Sequence, residues 1–195
     1  MQFFFEQEAI TTLDEKVQVV YSTDGSMTAL AKNGMLALDE GRLYVQEQEA
    51  LSACYTFVER WVPFENIEVA FDICIEQLGA MDLLSFKHGG YVRLTPGVLT
   101  VHLVTERGEF TAELAGEWNF LGPALMRLER SDDRIGFEIG GMNMHIDIPD
   151  NCRDGLEIRG LLGEISGTEA RIGAIFMQDV RGIPDEQRIG QHHQQ

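Results

Sequence analysis

From Asn66 to Glu76 the chain places Ile67, Val69, Phe71, Ile73 and Ile75 at every second position. Glu68, Ala70, Asp72, Cys74 and Glu76 fill the positions between them. A period of two sends successive side chains to opposite faces, so this stretch is a β-strand with one buried face. A strand of this kind needs neighbours on both edges and a second layer over its apolar side. The rest of the sequence supplies them. Lys16–Ser22, Arg42–Gln48, Met81–Lys87, Tyr91–Leu94, Val98–Thr105, Phe110–Leu114, Leu156–Leu162 and Arg171–Met177 each read as short strands. Turn residues separate them, among them Asp39-Glu40-Gly41, Thr95-Pro96-Gly97 and Glu106-Arg107-Gly108. Thr28–Leu38 reads as one or two short strands around Asn33-Gly34, a dipeptide that favours a type I′ hairpin turn. Glu47–Trp61 has some helical character, but from Cys54 onward it reads as a strand that Pro63 ends. Some twelve to fourteen strands spaced about ten residues apart predict an all-β sandwich or barrel.

Trp118–Pro149 shows the pattern most fully. An apolar strand, the turn Ser131-Asp132-Asp133, a second strand, Gly140-Gly141 and a third strand follow one another. Ile135, Phe137, Ile139, Met142, Met144, Ile146 and Ile148 are expected inside, and Arg134, Glu138, Asn143, His145 and Asp147 outside. Trp118 is expected in the core. No linker-like stretch divides the chain. The expected organisation is an N-terminal arm over residues 1–15, one sandwich domain over 16–180, and a loose polar tail over 181–195.

This order resembles the middle of laminin-G-like and concanavalin A-like lectin domains. The residues that carry it are Gly116, Trp118, Leu125, Met126, Leu128, Ile135, Phe137, Ile139, Gly140 and Gly141. Gly160–Gly163 followed by Arg171-Ile172-Gly173-Ala174-Ile175 fits the Gly-rich turn and final strand of such domains. The resemblance spans roughly Val17 to Val180 and implies an antiparallel β-sandwich of the jelly-roll type. Members bind glycans or proteins, some hold Ca²⁺, some are glycosidases, and phage particles use them as structural domains. Fold alone does not choose among these.

Composition removes some classes. The 195 residues carry a formal charge of −17. That opposes binding to nucleic acid or to an anionic membrane surface, both of which need clustered Lys and Arg. The three cysteines, Cys54, Cys74 and Cys152, form no Cys-x-x-Cys pair and read as reduced thiols. Met1-Gln2-Phe3-Phe4-Phe5-Glu6 lacks a basic signal-peptide region, so cytoplasmic synthesis is expected, compatible with a place in a virion.

Chemistry leaves few marks. Glu68, Asp72 and Glu76 share one strand face, but each step is about 13 Å at the strand rise. Paired glycosidase carboxylates stand about 5 to 9.5 Å apart. The Glu-x-Asp-x-Glu of lectin-fold glucanases is missing, and Glu47-Gln48-Glu49 lies in an ambiguous segment. His102 and His145 fall inside strands as structural residues, and His192-His193 lies in the tail. The densest acidic loop is Asp147, Asp150, Asn151 and Asp154, an oxygen-rich set that suits Ca²⁺. No other cofactor is expected. Trp61, Tyr91 and Trp118 are candidates to stack on sugars. Phe3, Phe4 and Phe5 form an apolar arm that must dock on its own domain or on a neighbour. The sequence thus favours a non-enzymatic structural or assembly protein, such as a bacteriophage capsid or tail component, with protein partners in a homo-oligomer or larger assembly. A carbohydrate-binding, lectin-like module is the alternative, and a glycoside hydrolase the second alternative.

Overall fold

The computed structural model describes residues 11–14, 17–21, 27–32, 35–39, 42–46, 54–166, 168–181 and 189. These form two antiparallel sheets of nine and seven strands. The nine-stranded sheet runs from edge to edge through Thr11–Asp14 (β1), Val17–Tyr21 (β2), Met27–Lys32 (β3), Cys54–Pro63 (β6), Glu157–Ser166 (β15), Ala80–Phe86 (β8), Tyr91–Thr95 (β9), Val98–Thr105 (β10) and Gly108–Ala115 (β11). The seven-stranded sheet runs through Met142–Asp147 (β14), Arg134–Ile139 (β13), Gly122–Arg130 (β12), Ile67–Gln77 (β7), Glu169–Asp179 (β16), Arg42–Gln46 (β5) and Met35–Asp39 (β4). No α-helix occurs among the described residues. The chain is an all-β jelly-roll sandwich, as its alternating pattern predicts.

The core lies between the sheets. Ile67, Val69, Phe71, Ile73 and Ile75 of β7 are all buried, with Met126 and Leu128 of β12 and Ile135 and Phe137 of β13 beside them. Facing them are Leu84 and Phe86 of β8, Val92 and Leu94 of β9, Leu99, Val101 and Leu103 of β10, and Ile158 of β15. Each fully buried aliphatic or aromatic side chain contributes about 1.5–3 kcal/mol.

Some expectations are corrected. The strands around Asn33-Gly34 do not pair as a hairpin. β3 pairs with β2 and β6, while β4 pairs with β5 in the other sheet, so the chain changes layers there. Glu68 is not on a solvated face. It is buried and accepts a hydrogen bond from Arg127 Nε at 2.7 Å, and Arg127 Nη1 also reaches Glu138 at 3.1 Å. Burial opposes the charge on Arg127, but its hydrogen bonds to and attraction from Glu68 and Glu138 prevail and raise its pKa. Arg134, expected outside, is buried. Met142 is exposed rather than in the core, because it starts β14 at the sheet edge. The tail expected to be loose is anchored at one point, for Ile189 is buried and its N–H donates to Glu129 Oε2 at 2.7 Å. The Phe3-Phe4-Phe5 arm, Glu47-Gln48-Glu49 and His192-His193 lie outside the described residues.

Trp118 is buried as expected and stacks on Phe120 with ring centroids 5.8 Å apart. Its indole Nε1 has no hydrogen-bond partner among the described residues. A Trp118→Phe variant therefore forfeits ring volume but no hydrogen bond. Its expected cost is about 1 kcal/mol by urea denaturation, well below the 3–5 typical of deleting a buried aromatic. A loss above about 3 kcal/mol would mean that the N–H has an acceptor after all.

Candidate functional site

The hairpins at the β9–β10–β11 end of the large sheet align polar residues across strands. Thr95 opposes Val98 across the Pro96-Gly97 turn, and this register brings Tyr91 opposite His102. Thr105 opposes Gly108 across the next turn, which brings His102 opposite Thr111. On the other side β8 contributes Ser85 opposite Tyr91 and Asp82 opposite Arg93. Two outward rows result. One is Ser85, Tyr91, His102 and Thr111, and the other is Asp82, Arg93, Thr100 and Glu113. The alternate residues of β9 and β10 are core, so these side chains stand on the outer face.

Within the rows, five residues are linked in series. Asp82 Oδ1 accepts from Arg93 Nε at 2.8 Å. The Arg93 guanidinium lies over the Tyr91 ring, 3.7 Å from its centroid. The Tyr91 ring meets the His102 imidazole at 5.2 Å between centroids. His102 Nδ1 and Thr111 Oγ1 share a hydrogen bond of 2.8 Å. The hydrogen bond from Arg93 to Asp82 raises the arginine's pKa further, against a smaller opposing effect of burial. Asp82, Arg93, Tyr91 and His102 are all partly exposed and Thr111 is exposed, which leaves the series open to solvent. Beyond β8, Gly160 and Gly163 of β15 stand opposite Ser85 and Asp82, so no side chain walls the patch at those two positions.

Held in this way, the series offers fixed guanidinium donors, a phenol, an imidazole and a carboxylate oxygen on a flat sheet. Cation–π contact and a carboxylate partner both restrict Arg93, so little rotamer freedom remains to be lost on binding. Of the residues read as sugar-stacking candidates, the structure brings Tyr91 into this patch, whereas Trp118 is in the core and Trp61 lies on β6. His102, read as structural, is part of the series.

Elsewhere a concavity of about 570 Å³ opens at one end of the sandwich. Glu65, Asp132, Asp133, Asp150 and Asp154 line it together with Arg107, Arg130 and Arg153. It contains two of the four residues read as a calcium loop. Asp150 is paired with Arg153, and Asn151 is engaged through its carbonyl, which accepts from Thr105 Oγ1 at 2.7 Å. Asp147 sits on β14 beside His145, 4.0 Å away. Among the described residues no group of three or more His, Cys, Asp or Glu side chains is arranged to hold a metal ion.

No protein-family model and no curated protein sequence matches this chain. Among solved structures, it is similar to carbohydrate-binding module CBM66 from Bacillus subtilis, at 14% identity and a TM-score of 0.44, covering 75% of this chain and 92% of that one. It is similar to sheep galectin-11 at 12% identity and a TM-score of 0.37, covering 57% and 94%. It is also similar to an endo-β-1,3-glucanase from Pyrococcus furiosus at 8% identity and a TM-score of 0.46, covering 90% and 93%. The expectation of a phage capsid or tail component is corrected. These similar structures are a carbohydrate-binding module, a galectin and a glucanase, and nothing indicates a virion role. The aromatic arm that motivated it lies outside the described residues; among those described, the exposed large hydrophobics are Leu121, Leu125 and Met142. The likeness is one of fold alone, an antiparallel β-sandwich of the jelly-roll type, as the Trp-strand-turn-strand-Gly-Gly order implied.

Proposed function

We propose that this chain is a carbohydrate-binding module whose ligand lies on the outer face of β8–β11. The linked series Asp82–Arg93–Tyr91–His102–Thr111 supports this reading. A pyranose presents hydroxyls that donate and accept in fixed directions, and it gains most from partners that are already oriented. Arg93 Nη1 and Nη2 supply donors. The Tyr91 hydroxyl and His102 Nε2 can each donate or accept. The two positions of β15 without side chains leave room for a chain of sugars to run across the strands. We read the protein as binding a glycan without cleaving it.

The test is a glycan array followed by calorimetry on the best hit. Tyr91→Ala removes the ring that joins Arg93 to His102, and it is expected to weaken binding by about tenfold or more, equivalent to about 1.4 kcal/mol. His102→Ala should weaken it by a smaller factor, with the thermal melting of both variants close to that of the parent. An array without hits, or full affinity in Tyr91→Ala, rejects this site. New reducing ends or unsaturated products from the bound glycan would replace binding with catalysis.

A further inference from the structure

We infer that the saccharide on this face is uncharged and that the face discriminates against uronates and sulfated sugars. This deepens the glycan-binding reading and rests on it. The inference comes from the charges that share the outer face with the linked series. Arg93 is the cation nearest its centre, and Asp82 already neutralises it at 2.8 Å. On β15, Ile158 is buried, so Glu157 and Arg159, one charge of each sign, stand on the outer face. Lys87, in the turn after β8, already has a partner. On β11 no such balance exists. Thr111 faces outward to His102, and the alternation of the strand puts Glu109 and Glu113 on the same side. Both are exposed, and no ion pair to either is present among the described residues. Glu113 ends the row that begins at Asp82 and Arg93, and Glu109 opposes Val104 one step beyond the row of His102.

Among the described residues, the face therefore carries two exposed carboxylates without an ion pair, Glu109 and Glu113, beside its hydrogen-bonding groups, on a chain whose formal charge is −17. Only β10 lies between β11 and β9, so the two are two strand spacings apart, roughly 10 Å. That is about one Debye length at moderate ionic strength, so the repulsion of an anionic sugar is felt and is salt-dependent. An uncharged sugar makes the same hydrogen bonds without it. A carboxylate that sought Arg93 would also have to compete with Asp82.

The experiment uses matched probes. Neutral gluco-, manno- and galacto-oligosaccharides are compared by calorimetry with their C6-oxidised counterparts, which differ only in a carboxylate for each primary alcohol. The expected result is that at least one neutral oligosaccharide binds and its oxidised form binds at least about fivefold more weakly at low salt. In Glu109→Gln/Glu113→Gln, two exposed substitutions on β11, that gap should close to less than twofold, as it should in the parent at high salt. An oxidised form that binds as tightly as its neutral counterpart, or a gap unchanged in the double variant, overturns the inference and leaves the glycan-binding reading intact. No binding to any member of either series overturns both.

Discussion

Arg130→Met is expected to lower the unfolding free energy by about 3–5 kcal/mol, the largest effect of any single substitution outside the hydrophobic core. Arg130 continues the inward column of Met126 and Leu128 to the end of β12, where the sandwich closes. Its side chain is buried, and four of the five N–H groups of its guanidinium donate to backbone carbonyls. Nε donates to the Ser131 carbonyl at 2.6 Å, Nη1 to the Phe64 carbonyl at 2.7 Å, and Nη2 to the Asp132 and Arg153 carbonyls at 3.0 and 2.9 Å. One side chain thus ties together the β6–β7 connection, the β12–β13 turn and the segment before β15. Burial lowers its pKa, and the charges of Glu65, Asp132 and Asp154 act in the opposite direction. Methionine keeps the unbranched apolar stem while removing every donor, so most of the loss reports the donors rather than the packing of the stem. The Ser131 and Asp132 carbonyls belong to a turn that water can reach, whereas the bond to the Phe64 carbonyl is buried. Most of the cost should therefore arise there. Arg130→Lys keeps the charge but not the planar fork, and it should recover less than half of the loss. Urea denaturation decides this, and a methionine variant within about 1 kcal/mol of the parent would show that the carbonyls find other donors.

Much of this architecture is written in local pattern. Ile67, Val69, Phe71, Ile73 and Ile75 identify their strand because one face must avoid water, and the same holds for Leu99, Val101 and Leu103. The linked series was partly within reach. The Thr95-Pro96-Gly97 signal leaves Thr95 and Val98 as the closing pair of a two-residue turn. Stepping four residues outward from each lands on Tyr91 and His102. The Glu106-Arg107 turn carries His102 to Thr111 in the same way. Register fixed by a turn propagates along both strands. Asp82 could not be placed by counting. From Asp82 to Ser85 is an odd step, which would put them on opposite faces of a regular strand. The bulge at Leu83-Leu84 inserts one residue, buries both leucines and returns Asp82 and Ser85 to the same side. Nor does any local signal mark Arg130 as a clamp, because its acceptors are backbone carbonyls that look alike in every sequence. The acidic loop is ambiguous in a related way. Asp and Asn favour turns whether or not a cation is present, and Asp150 is engaged by Arg153.

Ile189 is the contact furthest from any local signal, and it carries the second large expectation. Gly136→Val should destabilise the protein by about 2–4 kcal/mol, although valine suits a strand far better than glycine does. Gly136 lies on the outer face of β13, opposite Glu129 on β12. A Cβ there would come within 2.8 Å of Ile189 Cγ2 and 3.2 Å of its Cβ. The valine methyls would reach further and displace Ile189 altogether. Two contributions would then be lost together: burial of an isoleucine, about 1.5–3 kcal/mol, and a hydrogen bond to a carboxylate, about 1.5–3 kcal/mol. The sum is not reached, because Glu129 regains water when the isoleucine leaves and the intrinsic preference for valine offsets a further part. The sign separates this account from one based on strand propensity, which predicts stabilisation. A chain ending at Arg181 supplies the control, since it lacks Ile189 while keeping Gly136. Denaturation of Gly136→Val, of the shortened chain and of their combination should be strongly non-additive, with the valine costing little or even stabilising once Ile189 is gone. Additive losses would place the damage in β13 itself and would reduce the Ile189 contact to an incidental one.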